Sequence, residues 1–344
     1  MAHRVTIVDV AERAGVAISS ASAALNGRPG VSDDTRERIK EAAEELGYVP
    51  SLRGRSLSAK KAFTIGLVVC RSPEVLEEDP FFGAFIGGVE QVISKRGYAL
   101  VLQMAADADE EESRYRDLAA GRRVDGVILN ELRVNDSRIA LVRELELPAV
   151  GVNPAEPPAD LASVHQPSAP GVKDLVDRLV GLGHTRIAHV SGPPDFVHSL
   201  EREGAWRDAL LSAGLEPRLL IDGDFTYQGG QKAADLLLEG TQEKPTAVVC
   251  ANDLAAAGFI IRAQELGYSI PEQISVSGYD GIAWGGYIRP TLTTVQAAPR
   301  ELGAAAADLL LDVISDPERN KGRVVEMPPG EALVRDSIGR VPPA

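Results

Sequence analysis

Residues 5–27 read VTIVDVAERAGVAISSASAALNG, and the spacing of their apolar side chains decides how the N-terminal part of the chain folds. Val8, Val10, Ala11 and Ala14 recur at helical rather than alternating intervals, and Thr6 stands where an N-cap hydroxyl is wanted. Gly15 then supplies a turn. A second helix is expected over about Ala17 to Leu25, broken by Asn26-Gly27 and Pro29-Gly30. Ser32 opens a third, with Asp33 and Asp34 in its first turn, where carboxylates meet the positive end of the helix dipole. Ile39, Ala42, Ala43 and Leu46 give that helix a buried face, and Gly47 ends it. Three short helices with a tight turn between the first two make a helix-turn-helix. Its second helix can enter a major groove, although three-helix bundles also serve as protein-binding modules.

Charge is divided unevenly along the chain. The 344 residues carry a formal charge of -14, yet residues 1–61 hold ten Lys/Arg against eight Asp/Glu, a local +2 that leaves -16 for the remainder. A weakly cationic head on an acidic body touches phosphates locally while the body repels DNA, which keeps nonspecific affinity low and salt-sensitive. The alternative is a solvated surface with uneven charge.

Composition fits a globular chain of two or three domains, with 44% hydrophobic residues to fill their cores. No uncharged apolar run reaches 18 residues, and Asp9 and Glu12 interrupt the place where a secretory core would lie, so a cytoplasmic protein without membrane contact is expected. Cys70 and Cys250 lack partners at metal spacing and read as two buried thiols.

The stretch 5–27, continued by VSDDTRERIKEAAEELGYVPSLRGRSL (residues 31–57), resembles the DNA-binding head of the lactose/galactose repressor (LacI/GalR) family almost end to end. The resemblance implies that Ile18, Ser19, Ser22 and Ala23 of the second helix face base edges, with Thr6, Ala17 and Asn26 also at the DNA surface. Ile18 can meet a thymine methyl and Ser19 can donate or accept. Two positions depart from the family: Ala23 replaces an Arg or similarly long reader, and Ala17 replaces the usual Ser cap, a loss of about 1 kcal/mol at that terminus. SLRGRSLSAKKA (51–62) corresponds to the family's hinge helix, in which Leu57 wedges into the minor groove while Arg53 and Arg55 lie near groove and phosphates. For Arg53 and Arg55 an ordinary basic linker remains a competing reading. Gly54 stands in place of the usual Ala and disfavours helix by about 0.8 to 1 kcal/mol.

From residue 62 apolar runs of strand length alternate with helical patterns. Strands are expected near 63–70, 98–104, 124–129, 147–152, 186–191, 218–222, 246–250 and 274–278, with helices between them. This alternation implies parallel sheets covered on both faces, arranged as two doubly wound lobes with a ligand cleft beyond the carboxyl ends of the strands. DPFFGAFIGGVEQVISKRGY, LGHTRIAHVSGP, ANDLAAAGFIIRAQELGYSIPEQISVSGYD and RPTLTTV also resemble the family's effector core, which is similar to periplasmic sugar-binding proteins. The expected architecture is therefore a small all-α helix-turn-helix head (1–50), a hinge and linker (51–61), and an α/β periplasmic-binding-protein-like core (62–340). By the same resemblance the chain crosses between lobes near 161, 297 and 323. That gives a first lobe of 62–161 and 298–322, including a helix over 299–315, and a second of 162–297 and 323–340.

The resemblance also implies a cleft. Asp280 corresponds to a carboxylate that accepts sugar hydroxyls, Arg202 to an arginine that forks onto vicinal hydroxyls, and Asn252 to a donor and acceptor at a strand-to-helix turn. Phe82 and Phe225 read equally as flat ligand platforms or as lobe core. Asn153 is neutral where many sugar-responsive members have Asp, His165-Gln166 replaces a usual Asp-Asn pair, and Pro299 replaces an aromatic. Such loss of negative charge leaves room for an anionic or phosphorylated effector, or for a pocket without a tight ligand. A ring with hydroxyl edges suits the set, and so does a purine.

Enzyme motifs are missing: no Gly-rich phosphate loop follows a strand, and no G-x-S-x-G precedes a helix. Histidines at 3, 165, 184, 189 and 198 show no metal spacing; His184 reads as a turn residue and His189 as a core or sheet-face histidine. The expectation is a non-enzymatic transcription regulator without cofactor, acting as a homodimer on a palindromic operator under a small-molecule effector. A solute-binding protein of a transport system and a doubly wound enzyme are the competing classes. The closing GRVPPA carries no leucine heptads, which favours a dimer over a tetramer.

Overall fold

The computed structural model of the protein describes residues 5–27, 29–48, 56, 59, 61–156, 159–240 and 243–341. The chain forms two units, Met1–Phe63 and Thr64–Ala344.

In the first unit α1 (Ile7–Ala14), α2 (Ile18–Leu25) and α3 (Asp33–Glu45) pack around a core that is mostly alanine: Ala11, Ala14, Ala21, Ala24, Ala42 and Ala43 with Val10 and Ile39. Small side chains let helices this short approach closely enough to share one core. The inner face of α1 is Ile7, Val10, Ala11 and Ala14, an i, i+3, i+4, i+7 set, whereas Val8, expected on that face, is exposed. It sits one residue, and so roughly 100° of helix rotation, beyond Ile7. Gly15 closes α1 in the left-handed region at φ 63°. Ser32 caps α3, and Arg36 reaches the carbonyl of Ala24 at 3.0 Å, fixing α3 against the end of α2.

The second unit begins β1 (Thr64–Val69), α4 (Pro80–Ile93), β2 (Ala99–Met104), α5 (Ala108–Ala120), β3 (Gly126–Leu129), α6 (Ser137–Glu144), β4 (Ala149–Val152) and β5 (Ala162–His165). It continues through α7 (Ala169–Gly181), β6 (Ile187–Ser191), α8 (Val197–Ser212), β7 (Leu220–Asp222), α9 (Tyr227–Leu238), β8 (Ala247–Cys250), α10 (Asp253–Glu265), β9 (Ser275–Tyr279) and β10 (Thr293–Gln296). α11 (Pro299–Ser315), β11 (Val324–Glu326) and β12 (Glu331–Leu333) follow. Among the described residues the strands make two six-stranded sheets, ordered β11-β5-β4-β3-β1-β2 and β12-β10-β9-β8-β6-β7. Every pairing is parallel except β10 with β12. Central strands buried on both faces read as unbroken apolar runs, as in TIGLVV of β1.

The same packing device recurs in each lobe. A Cβ on Gly88 of α4 would lie 1.8 Å from the carbonyl oxygen of Arg300, and one on Gly303 of α11 would lie 2.2 Å from that of Phe85. In the second lobe Gly230 of α9 and Gly258 of α10 meet Ala255 and Tyr227 in the same reciprocal way, each at 2.0 Å. Bare backbone lets these helix pairs touch, and neither pair tolerates a side chain there.

The lobe boundaries differ from those expected. β5 pairs with both β4 and β11 in the first sheet, Ser163 opposite Val324, so the first crossing lies after His165 rather than near 161. For the same reason the third lies after Glu326 rather than near 323, while the second, between β10 and α11, falls near 297. Edge backbone groups need partners, and Ser163 N donates to Arg323 O at 2.9 Å. β5 (ASVH), β10 (TTVQ), β11 (VVE) and β12 (EAL) lack the apolar run that marks β3, β4 and β8.

Candidate functional site

In the head, Thr6 caps α1, its backbone N and Oγ1 both donating to Asp9 Oδ2 at 2.7 and 2.8 Å. Ala17 is the N-cap of α2 and offers no side-chain bond, and the first turn holds no acid. The first-turn N–H groups of α2 are thus left for solvent or an anion. Ile18 is 50% exposed at the start of this helix, an apolar branched side chain held out in water, and Ser19 beside it is exposed. Ser22 and Ala23 are half-buried one turn on. Asn26 turns its amide back onto Ser22 O at 2.8 Å, closing the end of α2. Arg53, Arg55 and Leu57, with Gly54, lie outside the described residues.

In the core the carboxyl ends of the strands from both lobes converge on a cavity of 240 Å³. All six residues expected in the cleft, Phe82, Asn153, Arg202, Phe225, Asn252 and Asp280, line it. Their conditions differ from one another. Asn252 is largely committed: Oδ1 accepts from Ala255 N at 2.9 Å to cap α10, and Nδ2 donates to Phe225 O at 2.8 Å. Its expected role as free donor and acceptor becomes a positioning one. Asn153, at φ 51°, accepts from Gln166 N at 2.8 Å, and Gln166 donates to Pro328 O and accepts from Ala298 N. One cavity residue is thereby linked through Gln166 to all three interlobe crossings. Phe82 is both core and lining, buried within the first lobe's cluster.

Phe225 is a platform. Its ring stacks on His198 at 5.1 Å, and His198 stacks on Phe196 at 5.5 Å. Phe225 adopts φ 58°, and a Cβ on Gly192 would lie 2.1 Å from its ring, so the platform requires a bare backbone beneath it. Burial, with Arg202 and Arg71 nearby, drives His198 well below the usual histidine range and keeps it neutral.

Arg202 lies 3.7 Å from the Tyr279 ring centroid and donates to Ala251 O at 2.6 Å, while its buried Nε has no partner among the described residues. Asp280 is held at φ 122° on a turn anchored by buried Asp253, which accepts from Thr294 Oγ1 at 2.6 Å and Ile282 N at 2.8 Å. Burial pushes Asp253 up to about 7 and Asp280 well above the carboxylate range; Asp79 and Asp253 add to the latter, and Arg202 opposes it.

The cavity also contains groups that sequence reading missed. Asp79 caps α4 by accepting from Phe81 N at 2.9 Å, and burial raises it to about 6. Arg71 donates to Glu131 from Nε at 3.2 Å and from Nη2 at 3.1 Å, and reaches Asp224 of the opposite lobe at 3.8 Å. Asn130 is 4% exposed, and neither its Oδ1 nor its Nδ2 has a partner among the described residues. A ligand hydroxyl can both donate and accept, which is what this amide lacks. Asn130 and Arg71 directly follow β3 and nearly follow β1, so the rule that ligands sit beyond strand ends was the available signal.

Behind this wall Arg138 is buried between Asp136, at 2.7 Å, and Glu111, at 2.9 Å; Glu111 also holds Arg133 at 2.7 Å. Arg138 donates to the carbonyls of Asn130 and Glu131, fixing the loop that carries both. The same loop clasps the second lobe, Val134 N donating to Asp195 O and Val197 N to Leu132 O, each at 2.9 Å. His184, expected at a turn, is instead a buried anchor, bonded to Thr246 Oγ1 at 2.9 Å and Gly339 O at 3.0 Å. His189 is in the core, stacked on Trp206 at 5.5 Å. No cluster of metal-ligating side chains occurs among the described residues, and no helix among them is long and apolar enough to cross a membrane.

Known proteins resemble this arrangement over nearly its full length. Residues 6–51 match the lacI family of bacterial regulatory proteins, and residues 176–338 match the periplasmic binding protein-like domain. The HTH-type transcriptional repressor PurR of Aliivibrio fischeri (strain MJ11) is 36% identical over 341 residues, covering 97% of this chain and 98% of its own. Among solved structures, the transcriptional regulator CelR–cellobiose complex is 32% identical with a TM-score of 0.75, covering 97% of this chain and 100% of that one. The lac repressor dimer bound to operator and the anti-inducer ONPF is 28% identical with a TM-score of 0.82, covering 97% and 98%. Exposed helix, two-lobed cavity and full-length likeness agree: the chain belongs to the lacI family of bacterial regulatory proteins and is a DNA-binding transcriptional regulator.

Proposed function

We propose that this regulator is a cytoplasmic repressor. A homodimer places two α2 helices in successive major grooves of a palindromic operator, and a small hydroxylated ring, a sugar or sugar derivative, sets operator affinity from the cavity between the lobes. The observation that carries this reading is the cavity itself, where a buried amide without a partner among the described residues, Asn130, lines the same space as Arg202 and Asp280. Two weakly cationic heads acting together overcome the repulsion of an acidic body, because the second head binds at high local concentration. In each head Thr6, Ala17, Ile18, Ser19, Ser22, Ala23 and Asn26 form the surface toward DNA, and Arg53, Arg55 and Leu57 act at the operator centre. Small residues at 19, 22 and 23 let α2 sit deep in the groove, while Ile18 supplies apolar contact.

Closing or opening the cleft changes the strands that pass between lobes, and the Gln166 link joins those strands to Asn153. A ligand that prefers one closure therefore favours one DNA-binding state, and the operator must alter ligand affinity by the same factor. Selection of bound duplexes from a random pool, repeated with a panel of sugars and nucleosides, tests head and cavity together. The expected product is a symmetric site whose enrichment changes with one ligand. Failure to prefer any symmetric duplex over scrambled sequence at low ionic strength removes the proposal.

A further inference from the structure

The neutral Asn153 suggests, by itself, a pocket able to take an anion. The assembled cavity has the opposite character. Among the described residues five carboxylates line it, Asp79, Glu131 and Asp280 within and Glu78 and Asp224 toward solvent, against two guanidiniums and no lysine. Both guanidiniums are engaged by the protein, although the buried Nε of Arg202 has no partner among the described residues. Arg71 is spent on Glu131 and Asp224 and lies 4.7 Å from the Phe196 ring centroid; Arg202 is held by Ala251 O and Tyr279 and faces Asp280 and Asp79.

Phosphates in doubly wound folds are commonly received by open helix N-termini. Three helices that begin at the cavity are closed by a side chain, Asp79 on Phe81 N for α4, Thr226 on Gly229 N for α9 and Asn252 on Ala255 N for α10, all at 2.9 Å. α8, which brings His198 and Arg202 to the lining, has no side-chain cap, and its Val197 N donates to Leu132 O. α10 carries a further buried acid, Asp253, in its first turn. The upward displacement of Asp79 and Asp280 is the response of carboxylates crowded into a dry space without enough cations.

We infer that the cavity selects an uncharged hydroxyl-bearing ring and refuses its phosphorylated form. This rests on the reading of the cavity as the effector site. Hydroxyls satisfy surplus carboxylates by donating to them, and Asn130 by donating and accepting, whereas a phosphate offers only acceptors to a wall already rich in them.

The test is thermal unfolding of the full chain against matched pairs: glucose with glucose 6-phosphate, ribose with ribose 5-phosphate, adenosine with adenosine 5′-phosphate, plus cellobiose and inorganic phosphate at constant ionic strength. At least one uncharged compound should raise the unfolding temperature, with any phosphate partner at least tenfold weaker in half-saturation. Inorganic phosphate should do no more than chloride. A phosphate ester that binds as tightly as its parent overturns the inference, and so does a panel in which no uncharged compound binds. Glu131→Gln, which frees Arg71, should raise the affinity of a phosphate ester about tenfold; an unchanged ester shows that these charges are not what refuses it. The effector reading fails separately: a ligand whose shift is the same in Arg202→Met and Asp280→Asn binds elsewhere.

Discussion

The two lobes share one strand order, yet they hold their functional side chains by different forces. In the first lobe the cavity wall is fixed by charge: Arg138 pins the loop carrying Asn130 and Glu131 while itself clamped by Asp136 and Glu111. In the second it is fixed by packing, with Phe225, His198 and Phe196 stacked face to face and Arg202 laid on Tyr279. A common topology brings strand ends to a cleft without dictating how those ends are made rigid. An ionic wall fails when one partner is lost or its protonation changes, whereas an aromatic wall fails when a neighbour's shape changes.

Arg138→Ala should give the largest effect. It leaves Asp136 and Glu111 buried without their cation, and removal of one partner from a buried ion network costs about 3–5 kcal/mol. Urea denaturation should show that loss, and the contrast between lobes breaks if the loss is below about 1 kcal/mol, the ordinary value for an exposed pair.

Gly192→Ala probes the other wall. The added Cβ would lie 2.1 Å from the Phe225 ring, so the ring must leave the stack. Overpacking of this kind costs about 1–3 kcal/mol, and affinity for any cavity ligand should fall by about tenfold or more. Calorimetric titration at constant pH measures it, and full retention of affinity would deny Phe225 a platform role.

An effect of similar size on stability is expected from Asp79→Asn, which keeps the cap on α4 but removes the acid. Burial raises Asp79 to about 6 in the folded protein, above its unfolded value of about 3.9. The folded state therefore binds more protons between those values, and stability from this group is present at low pH and declines as pH rises toward 6. Glu131, Arg71 and Arg202 also act on this carboxyl, and Asp280 lies within its influence. The Asn variant should match the parent near pH 4 and exceed it near pH 7 by about 2–3 kcal/mol. Melting temperatures across that range decide the sign; a parent that gains stability relative to the variant with rising pH would contradict the assignment.

The smallest change should follow Asp195→Asn. Its pair with Arg133 spans 3.6 Å, and the Asp195 side chain is mostly exposed, so about 0.5 kcal/mol or less is at stake. Backbone bonds across the clasp remain. Ligand affinity should stay within twofold, and a larger loss would mean that charge also governs the second lobe's side of the clasp.

Much of the fold was legible because helical and strand periods are local. The head's helices begin and end within a residue or two of their caps and glycines, α4 through α10 fall between the expected strands, and α11 covers the expected 299–315. Val8 failed because four apolar residues over seven positions allow two neighbouring faces. β5 and β10 through β12 failed because polar residues interrupt them and leave no apolar run of strand length. All six residues expected in the cleft do line it, five of them just after a strand or at the start of a helix and Arg202 from the second turn of α8; what each side chain does there was not visible. Asn252 is one case, with both ends of its amide drawn into the fold.

By itself, then, the sequence determined an alanine-cored three-helix head, an alternating α/β body and their order, because these rest on spacing within a dozen residues. Tertiary structure alone decided where the chain crosses between lobes, which cavity groups are free, and that a site with a neutral Asn153 carries more carboxyl groups than guanidiniums. Pairing and desolvation join Arg71 to Asp224 and Asp79 to Asp280, residues 150 or more positions apart, and no local pattern encodes such a sum.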